Sequence, residues 1–89
     1  MNIQDKVIAI TGGGKGIGRA TALRLAQQGA KIALIDLDEA AMEETITLVN
    51  DAGSEARAYK CNVADEPVVE NTFENIVKDF GALHGLVSA

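Results

Sequence analysis

The segment Thr11-Gly12-Gly13-Gly14-Lys15-Gly16-Ile17-Gly18 constrains this chain more than any other. It stands between a short β-branched run, Val7-Ile8-Ala9-Ile10, and a longer amphipathic one, Ile17 to Gln28. The first reads as a buried parallel strand, the second as a helix stopped by Gly29. At such a strand-to-helix junction, glycines bring bare backbone close to whatever lies outside, because no Cβ stands in the way. The helix start adds unpaired N–H groups and a partial positive charge. That combination suits an anionic group, above all a phosphate.

The spacing narrows the choice. A G-x-G-x-x-G frame fails, because its sixth position holds Ile17 counted from Gly12 and Arg19 counted from Gly14. A G-x-x-x-x-G-K-[ST] phosphate loop fails too: Gly16 follows Gly14-Lys15, and Ala9 stands where the first glycine belongs. T-G-x-x-x-G-x-G fits, through Thr11, Gly12, Gly16 and Gly18. Gly18 is expected to let the helix pack closely on the strand.

Downstream, short apolar runs keep alternating with amphipathic ones. Lys31 to Asp36 carries Ile32-Ala33-Leu34-Ile35, a second buried strand. Asp38 can cap a helix to about Asp51, with Met42, Ile46 and Val49 on one face and Ala52-Gly53 as its end. Ala56 to Cys61 is a weaker strand, consistent with a sheet edge. Asp65 or Glu66 starts another helix, with Pro67 in the first turn and an apolar stripe of Val69, Phe73, Ile76, Val77 and Phe80 before Gly81. Leu83 to Ala89 opens a fourth apolar run. The order βαβαβαβ predicts an α/β fold: a parallel sheet with right-handed helical crossovers on both faces.

At 89 residues the chain can form one small domain, and a central parallel strand ending at Ala89 would want a further neighbour. It therefore reads as part of a longer domain. Its only aromatics are Tyr59, Phe73 and Phe80, so the core must be aliphatic. A net charge of -5 disfavours nucleic acid or an anionic membrane as partner, while a phosphate can still be held by backbone donors. The lone Cys61 has no disulfide partner and no metal-spaced neighbour, which predicts no metal site and fits a reducing, cytoplasmic setting. No apolar run is long enough for a signal peptide or a membrane span.

One acid stands out. Asp36 ends the second strand, 18 residues past Gly18, where a carboxylate can accept hydrogen bonds from the hydroxyls of an adenine ribose. It would also repel a 2′-phosphate. This predicts NAD in preference to NADP. The second acid, Asp38, is better explained as the helix cap.

With its T-G-x-x-x-G-x-G turn, and in order and spacing over essentially all 89 residues, the chain resembles the short-chain dehydrogenase/reductase family, especially the 3-oxoacyl-acyl-carrier-protein reductases. The resemblance implies a Rossmann-type sheet of strand order 3-2-1-4, here its N-terminal half. It implies a dinucleotide at the switch-point crevice. The diphosphate would meet Gly12, Gly14, Lys15, Gly16, Ile17 and Gly18. The adenosine would meet Asp36, Leu37, Asn62 and Val63, and Ser88 and Ala89 would lie beside the cofactor. Lys15 stands where NADPH-using relatives often carry a basic residue, which leaves NADP open. Arg19, positively charged on the first helical turn, is expected to be neutral in role.

Departures are visible as well. Asn62 replaces the family's usual aspartate at the adenine, and Ser88-Ala89 stand where the family has two asparagines. The family's catalytic Ser and Tyr-x-x-x-Lys are absent: Tyr59 is followed directly by Lys60, and Val63 holds the fourth position beyond it. His84 precedes the fourth strand and reads as a surface residue. The implied parent is an NAD(P)-dependent, homotetrameric oxidoreductase acting on a carbonyl/alcohol pair such as a 3-oxoacyl thioester. A noncatalytic dinucleotide-binding module and an inert remnant are the alternatives for these 89 residues alone.

Overall fold

The computed structural model describes residues 2–89. Strand β1 (Val7–Thr11) leads into helix α1 (Gly16–Gln27), then β2 (Lys31–Asp36), α2 (Glu39–Asp51), β3 (Ala56–Lys60), α3 (Glu66–Phe80) and β4 (Gly85–Ser88). The sheet order is β3-β2-β1-β4, and every pairing is parallel. This is the Rossmann-type 3-2-1-4 arrangement expected from the sequence, with β3 at one edge.

The β2 run shows why the sheet carries a layer on each face. Side chains alternate across a strand. Ile32 and Leu34 join Ile10 beneath Ala22 and Ala26 of α1 and Met42 and Val49 of α2. Ala33 and Ile35 join Val7, Ala9 and Cys61 beneath Ile76 of α3. Both faces of β2 are buried, which is why its sequence is continuously apolar rather than alternating. Small residues at Ala22 and Ala26 bring α1 close to the sheet.

Boundaries differ from the sequence reading by a residue or so. β1 takes in Thr11, α1 starts at Gly16 and β3 ends at Lys60. The α3 stripe differs more. Of its five apolar members only Ile76 is fully buried, Val77 is largely exposed, and Thr72 is buried instead. The Thr72 hydroxyl donates to the Val68 carbonyl at 2.8 Å, which lets a polar residue occupy the inner face. His84, expected as a plain surface residue, is exposed yet bonded: the Val7 N–H donates to its Nδ1 at 2.9 Å.

Candidate nucleotide-binding site

In a parallel sheet with helical crossovers, helix N-termini gather at the carboxyl ends of the strands. There a cleft of about 250 Å³ opens. It is lined by Thr11 and Gly12 after β1, Ile35, Asp36 and Leu37 from β2, Cys61, Asn62 and Val63 after β3, and Ser88 and Ala89 from β4. A depression of similar size, about 260 Å³, lies among Gln4, Asp5, Gly29, Lys31, Gly53, Ser54 and Glu55 at the opposite end. No helix N-terminus points there, and its one cation, Lys31, pairs with Glu55 at 3.6 Å beside a second acid, Asp5, which suits an anion poorly.

The start of α1 is unlike the other two. Asp38 caps α2 by accepting from the Ala41 N–H, Asp65 caps α3 by accepting from the Val68 N–H, and each helix has an acid in its first turn. The α1 start has neither a side-chain cap nor a first-turn acid. Its leading amides are left for an outside acceptor. Glycine is required to build this turn. Gly12 and Gly16 have φ of 70 and 62, in the left-handed region. A Cβ on Gly18 would stand 1.9 Å from the Gly12 carbonyl oxygen. The close approach expected of Gly18 therefore exists, but its partner is the turn rather than the strand.

Asp36 is held in place by backbone. Its Oδ2 accepts from the Gly14 N–H at 3.1 Å, and its Oδ1 accepts from the N–H groups of Leu37 at 2.7 Å and Asp38 at 3.3 Å. A carboxylate offers about four lone-pair positions, so one on Oδ2 stays open. Lys15 is exposed and lies 3.5 Å from Asp38. The Asp38 carboxyl is held below its ordinary range, chiefly by the Ala41 N–H it accepts, with Lys15 adding to the effect. Asn62 folds its Oδ1 back onto the Ala64 N–H at 3.0 Å, an Asx turn. The Thr11 and Ser88 hydroxyls meet at 3.4 Å across β1 and β4.

Arg19 corrects the sequence reading. Its role is not neutral: its Nη2 donates to the carbonyls of Gly14 at 2.8 Å and Ala41 at 3.1 Å, and its Nε to Thr45 Oγ1 at 2.9 Å. Neither Arg19 nor Thr45 belongs to the glycine motif, so no spacing rule marks them. The one available signal was a threonine on the apolar face of α2.

Similarity to known proteins agrees with this geometry. The family model described as short chain dehydrogenase matches residues 6–89. The chain belongs to that family. It is 41% identical over 85 residues to the 3-oxoacyl-[acyl-carrier-protein] reductase of Bos taurus, covering 96% of this chain and 35% of the relative. A solved NAD+-bound xylitol dehydrogenase superposes with a TM-score of 0.92 at 43% identity, over 97% of this chain and 33% of that one. A short chain dehydrogenase/reductase from Burkholderia phymatum in complex with NAD gives 0.89 at 34% identity, over 97% and 31%. The chain thus spans about a third of the length of these relatives.

Against this family background, the cleft brings together Gly12, Asp36, Leu37, Asn62, Val63, Ser88 and Ala89. Gly14, Lys15, Gly16, Ile17 and Gly18 are not among its lining residues: Gly14 and Gly18 are buried, and Lys15, Gly16 and Ile17 are exposed. Thr11, named from the sequence only as the start of the glycine motif, lines it too, as do Ile35 and Cys61, which were not expected at the site. His84 and Tyr59 stand outside the cleft lining. Among the described residues no group of His, Cys, Asp and Glu could hold a metal ion, and no helix is long and apolar enough to cross a membrane.

Proposed function

We propose that residues 1–89 form the N-terminal, nucleotide-binding part of an NAD-dependent oxidoreductase. The diphosphate of the dinucleotide sits on the leading amides of α1. Asp36 receives a ribose hydroxyl on its open Oδ2 position, and the adenine covers Leu37 and Val63, both more than half exposed at the cleft. Three backbone N–H groups already occupy the Asp36 carboxylate. A second ribose bond must therefore share Oδ1, a narrower role than two free acceptors. Asn62 acts first as a turn former, with the second lone pair of its Oδ1 facing any adenine amino group.

The observation that carries this reading is the contrast among helix starts: two are capped by aspartate and one is left open, at the glycine turn. The NAD-bound structures among the similar proteins support the same ligand. The preference for NAD over NADP rests on Asp36, whose charge would face a 2′-phosphate. Lys15 is the residue that could offset it, but Asp38 already draws on its charge. An exposed ion pair is worth only about 0–1 kcal/mol, so NADP is weakened rather than abolished.

Bound nicotinamide would supply hydride transfer between a carbonyl and an alcohol, a 3-oxoacyl thioester being the class that the bovine relative's name suggests. The residues described here bind and orient. The family's Tyr-x-x-x-Lys pair is not among them, so turnover is assigned to the longer protein and not to this part of it. The test is an equilibrium titration with NADH, followed by its fluorescence and by displacement with ADP. Saturable binding that ADP displaces is expected. Absence of binding, or binding that ADP leaves untouched, contradicts the proposal.

A further inference from the structure

Gly14 is gripped from both sides. Its N–H donates to Asp36 Oδ2 at the end of β2. Its carbonyl accepts from Arg19 Nη2 at 2.8 Å and from Thr45 Oγ1 at 2.8 Å, the shorter of two contacts open to that hydroxyl's one proton (the Ala41 carbonyl lies at 3.1 Å). The single Arg19 Nε–H is shared between this carbonyl at 3.1 Å and Thr45 Oγ1. Thr45 is fully buried on α2. Arg19 is further tied to α2 through the Ala41 carbonyl and the Glu44 carboxylate.

The consequence follows from peptide geometry. A trans peptide is planar, so its C=O and N–H point in opposite directions. With the Gly14 carbonyl aimed at α2, the Lys15 N–H must aim away from α2. Flipping this peptide turns ψ of Gly14, which no Cβ restrains, together with φ of Lys15, which it would carry from -156 toward the positive region. Lys15 therefore opposes the flip, and the Gly14 side is the one left to outside bonds. The flip would present a carbonyl dipole where an amide now stands, just before the open start of α1. A phosphate would then meet a repulsive oxygen in place of a donor.

We infer that Arg19 and Thr45 are positioning residues that lock the Gly14–Lys15 peptide in its donor-outward state, and so set the affinity of the turn for a diphosphate. The inference rests on the nucleotide-binding role proposed above and extends it to two residues that need touch no ligand. It also makes α2 part of the phosphate site, because the lock is anchored there rather than on α1 alone.

Thr45→Val is the informative variant. It is nearly isosteric, changes no charge and removes the hydroxyl. Arg19→Lys keeps the charge but loses the planar fork that reaches Gly14, Ala41 and Thr45 together. Thr45→Ser retains the hydroxyl and serves as the rescue. Each protein is titrated with ADP and, separately, with adenosine.

Loss of one net hydrogen bond predicts that Thr45→Val weakens ADP binding about fivefold. Arg19→Lys is expected to weaken it further, while adenosine affinity stays within about twofold and Thr45→Ser matches the parent. Equal weakening of ADP and adenosine would reveal a merely structural role and overturn the inference. So would unchanged ADP affinity in both variants. A parent chain that binds neither ligand refutes the nucleotide reading itself, and this role falls with it. The locked peptide's own amide is the Lys15 N–H, and its resonance is read without a ligand. It is expected to shift in Thr45→Val and to stay in place in Thr45→Ser, and an unmoved resonance in Thr45→Val would refute the lock.

Discussion

Replacing Gly18 by alanine puts the glycine turn to a quantitative test. Gly18 lies in the first turn of α1, and alanine in place of glycine favours a helix interior by about 0.8–1.0 kcal/mol. On helix propensity alone the variant should be more stable. Packing says the reverse. The added Cβ would lie 1.9 Å from the Gly12 carbonyl oxygen, 2.7 Å from its carbon and 2.9 Å from Gly13 Cα. All three are backbone atoms, so no rotamer change relieves the contact. The turn must retreat by about 1 Å, and forcing an extra methyl into a packed site costs about 1–3 kcal/mol. Because the obstacle is backbone, the upper end applies, leaving a net loss of about 1–2 kcal/mol. For a domain of this size that lowers Tm by roughly 5–15 °C. Thermal denaturation reads the stability and NADH titration reads the site. Displacing the turn by about 1 Å is expected to weaken NADH binding about tenfold or more. Gly53→Ala is the control: its φ of 93 strains any side chain, but nothing lies within 4 Å of the new Cβ. It should lose stability and keep its NADH affinity. A Gly18→Ala protein as stable as the parent, with unchanged NADH binding, would refute the packing argument.

Two further outcomes are expected. Removing the charge in Asp36→Ser should raise NADPH affinity relative to NADH, by about tenfold at the scale of one close charge repulsion; an unchanged ratio from paired titrations would count against the ribose assignment. Tyr59, the only tyrosine, donates to Asp79 Oδ2 at 2.8 Å, and burial followed by that bond raises its phenol above the ordinary value. A raised acid pKa means that the bond's contribution to stability is complete below the unfolded value, about 10, and is lost as pH rises toward the folded one. Ultraviolet titration of the folded protein should therefore show phenolate only above the usual range, and ionisation near 10 would contradict the contact.

The fold was legible because each level of the sequence agreed with the next. Continuous apolar runs marked the two-sided strands. Asp38 and Asp65 marked two helix starts, and Gly29 and Gly81 marked two ends. The weak Ala56-to-Cys61 run correctly read as an edge, since an edge strand has one neighbour fewer to demand apolar side chains. What stayed hidden was tertiary. The α3 stripe gives a helix's apolar width but not which members are covered, so it includes the exposed Val77 and passes over the buried Thr72. Arg19 looked like a free charge because Ala41 and Thr45 are remote in sequence and nearby Gly14 offers only its backbone carbonyl. Asp36 was recognised as a site residue, but its backbone donors were not: those of Leu37 and Asp38 form as the chain turns after β2, and only folding brings Gly14 to the same place. Asn62 could be read either as an adenine contact or as a turn former, and the bond to Ala64 shows that it forms a turn.

Mapping backbone amide resonances during an NADH titration tests the phosphate cradle most directly. The amides of Lys15, Gly16, Ile17 and Gly18 should move furthest. Those that open α2 and α3, already occupied by Asp38 and Asp65, should stay nearly still. Binding that shifts the α2 or α3 starts, or the opposite end of the sheet, while leaving Lys15 to Gly18 unmoved would place the ligand elsewhere and contradict the account.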